Sequence, residues 1–437
     1  MRDAMSDAGL FRYVSYDVDV ESSSLMCNYE VNGELFSELI FVPGGDFSRP
    51  GIDAAAFLYF LLAGISYYKT SAPLKIDLGD FVTTSTEQEF LLMFFQEGLG
   101  EFAYKNNLDL SELIIQGPVG SVTPQLTGDS DGSVLIPFGG GIDSIVTVAE
   151  LAPLTDHAAL FIAERPGARF EAIEAPARVT GLPTIRAERS IDEKVLRSSE
   201  LGYLNGHVPV TGILSALAVL SAVATGYGAI AMSNERSASD ATRTGPFGTV
   251  NHQWSKGLAF EEGFRNVLAQ RLPDIAYFSW LRDRPGDSIA QAFASLNAFH
   301  SSFRSCNRSF HQDPDDRLNV WCGTCDKCLF VDLLLSSVMS KEQLEGIFPA
   351  LEPLENPLLL QQLQVLCGVG DQPRPFECVG DELECQQALF AAAQRSDRQE
   401  SSLIQSVAAT LPVLPSTTDE VSPHYRPERY ATRTRLV

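Results

Sequence analysis

The chain has 437 residues, 45% of them hydrophobic, and carries a formal charge of −24. One core rarely fills that length, so two or three domains are expected. So strong an acidic excess repels phosphate backbones and argues against DNA or tRNA as the main partner.

Met1 to Asp17 is polar and lacks the apolar centre of a signal peptide. Eight cysteines without an export signal predict a reducing, cytoplasmic setting and no disulfide framework. Leu25–Val31 and Leu35–Val42 flank Asn32-Gly33, a hairpin signal because both turn positions favour positive φ. Pro43-Gly44-Gly45 closes the second strand. A helix is predicted from Ile52 to about Ile65, then a strand over Leu74–Leu78. Residues 1–126 therefore read as an α+β domain.

Thr127–Gly132 is a polar linker, after which strands and helices alternate. The strands are Val134–Pro137, Ala158–Ala163, Pro183–Ala187 and Ala229–Met232. Helices are predicted from Ser144, near Phe170–Val179 and from Pro209 to Thr225. That alternation indicates a doubly wound parallel sheet over residues 127–305. Val208–Met232 has membrane-spanning length, but Pro209, Gly212, Gly226 and Gly228 interrupt it and no Lys/Arg cluster flanks it, so a buried helix and strand are expected. Ser237–Phe264 reads as a long irregular loop rich in Gly, Arg, Asn and Trp. Residues 306–411 form a cysteine-rich and helical region, with helices over Leu329–Met339 and Leu358–Val365. Residues 412–437 read as a tail or a strand laid over the body.

Between strand and helix lies Gly139-Gly140-Gly141-Ile142-Asp143-Ser144. A glycine turn at a helix N-terminus directs backbone N–H groups at an anion. Asp143 is suited to hold magnesium against phosphates, and Ser144 to donate to a phosphate oxygen. The Walker ending Gly-Lys-Ser/Thr is absent. Ligands in such sheets bind at the carboxyl ends of strands, where this loop and Ser233–Ser237 both lie. The two loops are expected to meet over one nucleotide.

Asn234, Glu235 and Arg236, with Lys69 and Arg243, are candidate contacts for an anionic substrate. His252 and Lys256, in the segment Asn251–Lys256, are candidate proton-transfer groups. Cys322-x2-Cys325-x2-Cys328, with Cys306 upstream, has plausible zinc spacing. Buried reduced thiols and a catalytic thiol pair stand as the other readings of that cluster.

Gly139–Ser144 resembles the pyrophosphatase loop, Ser-Gly-Gly-x-Asp-Ser, of the N-type ATP pyrophosphatases, with Gly139 in place of the first serine. More widely, Ala63–Lys69, Phe138–Ser144, Ser233–Ser237, Asn251–Lys256, Trp321–Phe330 and Pro375–Gly380 resemble the family of epimerases acting on UDP-N-acetylmuramoyl-L-alanyl-L-glutamate in peptidoglycan synthesis. The likeness spans roughly residues 12 to 390. It implies an α/β fold of adenine-nucleotide alpha-hydrolase type, with ATP and magnesium required. It further implies conversion of the terminal L-Glu of that nucleotide peptide to D-Glu, with release of AMP and pyrophosphate. Neither nucleic acid nor membrane is an expected partner. Two alternatives stand beside it: a ligase or thiolase of the same ATP class acting on a nucleobase or RNA, and a non-catalytic nucleotide-binding protein.

Overall fold

A computed structural model describes residues 9–128, 132–311, 313–411 and 424–431. Ten strands form one sheet. In chain order they are β1 (Phe11–Asp19), β2 (Ser24–Val31), β3 (Glu34–Phe41), β4 (Lys75–Asp77), β5 (Ile114–Gln116), β6 (Val134–Pro137), β7 (Ala158–Glu164), β8 (Thr184–Ser190) and β9 (Ala229–Met232). A separate hairpin, β10 (Arg243–Gly245) and β11 (Gly248–Val250), follows, and β12 (Ala276–Ser279) completes the sheet. The spatial order is β12-β9-β6-β7-β8-β3-β2-β1-β4-β5.

The sheet has two characters. β12, β9, β6, β7 and β8 run parallel, whereas β8–β3, β3–β2 and β2–β1 are antiparallel. The join is the pairing of Leu39–Phe41 with Glu188–Ser190, so one sheet runs across both sides of the 127–132 linker. Asn32 and Gly33 take φ of 52° and 86°, as the hairpin signal requires.

β6 lies at the switch point, because the chain leaves it for β7 on one side and reaches β9 on the other. Alternate residues of the parallel strands face two different cores. Leu135, Phe161 and Ile230 face a core shared with the helices Ile52–Ala63 and Val210–Thr225. Ile136, Leu160 and Ala231 face the helices Ile142–Leu151, Gly286–Ala294 and Asp326–Ser336. Helices on both faces explain why β6, β7 and β9 are largely apolar. Apart from the exposed Asp53 in its first turn, Ile52–Ala63 is likewise apolar because it is buried on every side. Among the described residues no helix is long and apolar enough to cross a membrane.

Three elements differ from expectation. β1 begins within Met1–Asp17, which reads in sequence only as polar and without a signal peptide; Phe11 and Tyr13 are buried, but a register shift between Tyr13 and Ser15 breaks the alternation. Ser85–Gly98 is a helix announced by a capping box, Thr84 with Glu87. Residues read as irregular up to Phe264 become helical at Leu258, and that helix runs to Arg271. Its inward Glu261 is fully buried against Arg282, which obscured the apolar stripe. Most of the tail, 412–423 and 432–437, lies outside the described residues. Within 424–431, Arg426 donates to the Trp280 carbonyl (2.7 Å) and Tyr430 packs on Phe278.

Candidate functional site

β6 ends at Pro137, and the chain turns through Gly139–Gly141 into the helix Ile142–Leu151. Gly140 has φ +75°, and a Cβ there would stand 2.3 Å from the Ala172 carbonyl oxygen, so only glycine fits. A Cβ on Gly139 would meet open space. The absent serine is therefore a chemical difference and not a steric one. Gly141 caps the helix without a side-chain hydrogen bond, leaving the first N–H groups for a ligand. Ser144 Oγ donates to the Gly141 carbonyl at 3.0 Å and braces the turn.

This loop and the end of β9 open into one cavity of about 460 Å³, within the range of small-molecule sites. Phe161, Leu214 and Met232 give it an apolar side, and Asp143, Glu235, Lys256, Lys327 and Cys378 line it with charge and sulfur. Burial raises the pKa of Asp143 against the pull of Lys327 and Lys256. Glu235 is pushed up to about 8 by burial and by repulsion from Asp143. Two carboxyls so disfavoured as anions fit a divalent cation, whose charge would relieve both. Ser233 Oγ and Arg304 Nη1 also reach the cavity wall, buried and without a hydrogen-bond partner among the described residues. The backbone N–H of Arg304 bonds the Gly140 carbonyl at 3.4 Å, so the residue that carries the unpaired Nη1 is anchored at the glycine turn. That combination fits a phosphate.

Lys256 Nζ lies 3.3 Å from Cys378 Sγ and 3.1 Å from Gln253 Oε1. His252 sits behind the wall, hydrogen-bonded to Cys378 on one side and through Nδ1 to Glu101 on the other. Burial lowers the His252 pKa, but those two partners outweigh it and bring it up to about 9. Burial raises the Cys378 thiol, yet Lys256, His252 and Lys327 bring it down to about 6. Arg282, 1% exposed, fixes the backbone behind the site. Its guanidinium pairs with Glu261 and donates to the carbonyls of Glu235 (2.7 Å) and Lys256 (2.5 Å).

The sulfurs of Cys306, Cys322, Cys325 and Cys328 lie within 4.8 Å of one another. Cys322–Cys328 and Cys325–Cys328 are 3.6 and 3.4 Å apart, close to the roughly 3.8 Å edge of a tetrahedron with 2.3 Å zinc–sulfur bonds. The donor set therefore fits zinc. The cluster stands outside the cavity lining, while its neighbours Ser305, Asn307 and Lys327 reach it.

Of the residues singled out from sequence, Gly139, Gly141, Asp143, Ser144, Asn234, Glu235 and Lys256 converge on the cavity. Gly140 shapes the turn beneath it. Arg236 stays near Asp240 and Glu384. Arg243 stacks over Phe376 at 4.2 Å and donates to the Arg374 carbonyl. Lys69 is bound to Asn205 Oδ1 (2.8 Å), away from the wall. Sequence reasoning missed Lys327, Arg304, Arg282 and Cys378. Cys378 and Lys327 carried a signal, since Pro375–Gly380 and Trp321–Phe330 were part of the family likeness.

Fold and site together define an α/β protein with a charged cavity, of a size and lining that suit an anionic small molecule, at the switch point of its sheet. The family model described as MurL N-terminal domain matches residues 2–280, and the one described as MurL C-terminal domain matches 302–422. A UDP-N-acetyl-alpha-D-muramoyl-L-alanyl-L-glutamate epimerase of Xanthomonas oryzae pv. oryzae is 32% identical, covering 90% of this chain and 88% of its own. One from Salinispora tropica is 33% identical over 96% of this chain and 94% of its own. One from a Micromonospora species is 32% identical over 96% of both. No solved structure matches the chain. The chain belongs to the MurL family.

Proposed function

We propose that this protein is an ATP-dependent epimerase that converts the terminal L-Glu of UDP-N-acetylmuramoyl-L-alanyl-L-glutamate to D-Glu for peptidoglycan synthesis. The relatives' names support the epimerisation and the substrate. The observation that carries the ATP dependence is the capless glycine turn beside Arg304, opening with Asp143 into the charged cavity. Such a turn at a switch point supports the pyrophosphatase-loop placement and an adenine-nucleotide alpha-hydrolase type of fold.

The chemistry explains the need for ATP. A carboxylate makes its neighbouring Cα–H a very weak acid, because removal places a second negative charge beside the first. In the proposed first step the α-carboxylate oxygen attacks the innermost phosphorus of ATP. The new P–O bond forms as the bond to pyrophosphate breaks, and pyrophosphate leaves with the electron pair. The turn's N–H groups and Arg304 stabilise that leaving charge. Magnesium, held by Asp143 with Glu235 beside it, would neutralise phosphate charge. The resulting acyl adenylate can delocalise a Cα carbanion onto its carbonyl oxygen. Hydrolysis after epimerisation releases AMP. Zinc at the four cysteines would anchor the segments that carry Ser305, Asn307 and Lys327 to the cavity wall, and elemental analysis should find about one zinc per chain.

The test measures pyrophosphate release and the chirality of glutamate after acid hydrolysis, with ATP and the nucleotide dipeptide present. Both should appear together and need both compounds. D-Glu formed without ATP, or ATP bound without AMP formation, would falsify the proposal.

A further inference from the structure

The proposed first step leaves the Cα proton without an acceptor. We propose that Cys378 is the base that removes it, acting as a thiolate on the cavity wall, with His252 and Glu101 as positioning residues behind it. This rests on the acyl-adenylate reading above.

Three observations carry the assignment. Cys378 borders the same cavity as Asp143, so a substrate activated at the glycine turn lies within the same enclosure. Its sulfur faces the Lys256 ammonium at 3.3 Å and the His252 ring, an ion-pairing environment for a thiolate. Its segment is also strapped from several sides. Lys327 Nζ donates to the Cys378 carbonyl, Asn307 Nδ2 to Glu377 Oε1 at 3.0 Å, and Arg243 to the Arg374 carbonyl. Arg243 therefore serves this segment, which explains its absence from the cavity.

The other thiols behave differently. Cys367 is buried in the apolar core, and burial pushes it up to about 12. Cys385, also buried there, is raised in the same sense. The four clustered cysteines are turned toward one another. Cys378 alone among the cysteines both lines the cavity and faces cations. The cavity carboxyls Asp143 and Glu235 are poorer candidates, since the proposed first step commits them to magnesium.

In the step, the Cα–H bond breaks and its proton goes to Sγ, while its electron pair passes to the acyl carbonyl oxygen as an enolate. Water in the open cavity adds a proton to the opposite face of Cα. The thiol then returns its own proton to solvent, leaving the enzyme unchanged.

The experiment runs wild type, C378A and C378S with ATP and substrate in deuterium oxide. It follows pyrophosphate, Cα deuterium and D-Glu, and intact mass reports any adduct. Wild type should place one deuterium on Cα of the D-Glu product. Both variants should still release pyrophosphate within about threefold, which also reports folding, while exchange and D-Glu fall at least 100-fold. H252Q should slow exchange and raise the lower pH limit of the reaction, a shift that a purely structural role would not produce. Exchange by C378A within tenfold of wild type overturns the assignment, as does an equal loss of pyrophosphate release or a covalent acyl–Cys378 adduct. Wild type that exchanges Cα–H but releases no pyrophosphate sinks the adenylate reading, and the C378A comparison still judges the thiolate.

Discussion

Glu38, fully buried in the antiparallel half of the sheet, and Asp143, half-buried above the parallel half, are both acids withdrawn from bulk water, yet their surroundings differ. Glu38 accepts from Tyr59, from Tyr67 at 2.7 Å and from Arg189 at 2.6 and 3.2 Å, and Arg189 also reaches Ser66. Both carboxylate oxygens are thus paired with phenol and guanidinium donors. Asp143 instead faces an open volume, with Lys256 and Lys327 as neighbouring charges and unsatisfied donors around it. The contrast separates two uses of buried charge. Where partners are complete the network holds structure, and where they are incomplete a ligand completes it.

The largest expected effect is Asp143→Ala, which should abolish pyrophosphate release and D-Glu together, by more than about 1,000-fold, with little change in thermal unfolding. Glu38→Ala should do the reverse. It strands the buried Arg189 and should cost about 3–5 kcal/mol of stability, read by denaturant unfolding, while activity measured well below Tm persists.

The pH profile sharpens the same division. Cys378 is brought down to about 6 and His252 up to about 9, so the thiolate–imidazolium state fills the window between those values. Activity should fall about tenfold per pH unit below and above it. Lys256 and Lys327 face the thiol; Glu101 and His207 face the imidazole, and burial with repulsion from His252 takes His207 down to about 4. A flat profile from pH 5 to 10 would remove this pair from the reaction. The smallest effect is expected of Gly139→Ser, which meets open space and should change stability by less than about 0.5 kcal/mol.

Sequence reading reached the parallel half most fully. Val134–Pro137, the glycine turn and Ala229–Met232 stand where they were expected, because apolar strands, glycine and helix signals there are local and agree. The site was legible as far as Asp143, Glu235 and Lys256, which lie beside those strands or on the loop that follows. Arg304, Lys327 and Cys378 escaped as site residues, since long-range packing brings them to the cavity; only the family likeness around Lys327 and Cys378 marked their segments. Lys69 and Arg243 misled for a related reason: a cation in a loop reads the same whether it meets a substrate, Asn205 or a backbone carbonyl. The helix from Leu258 was hidden by Glu261, whose burial makes sense only with Arg282 known.

The pairing of Leu39–Phe41 with Glu188–Ser190 reaches further. A protein built as two polypeptides divided near the polar linker would expose a raw strand margin on each piece, with backbone donors and acceptors unmet. The pieces should be poorly soluble alone and reunite when produced together, because each is the missing neighbour of the other. The halves of this sheet are thus a natural starting point for a split reporter whose signal is the restored cavity.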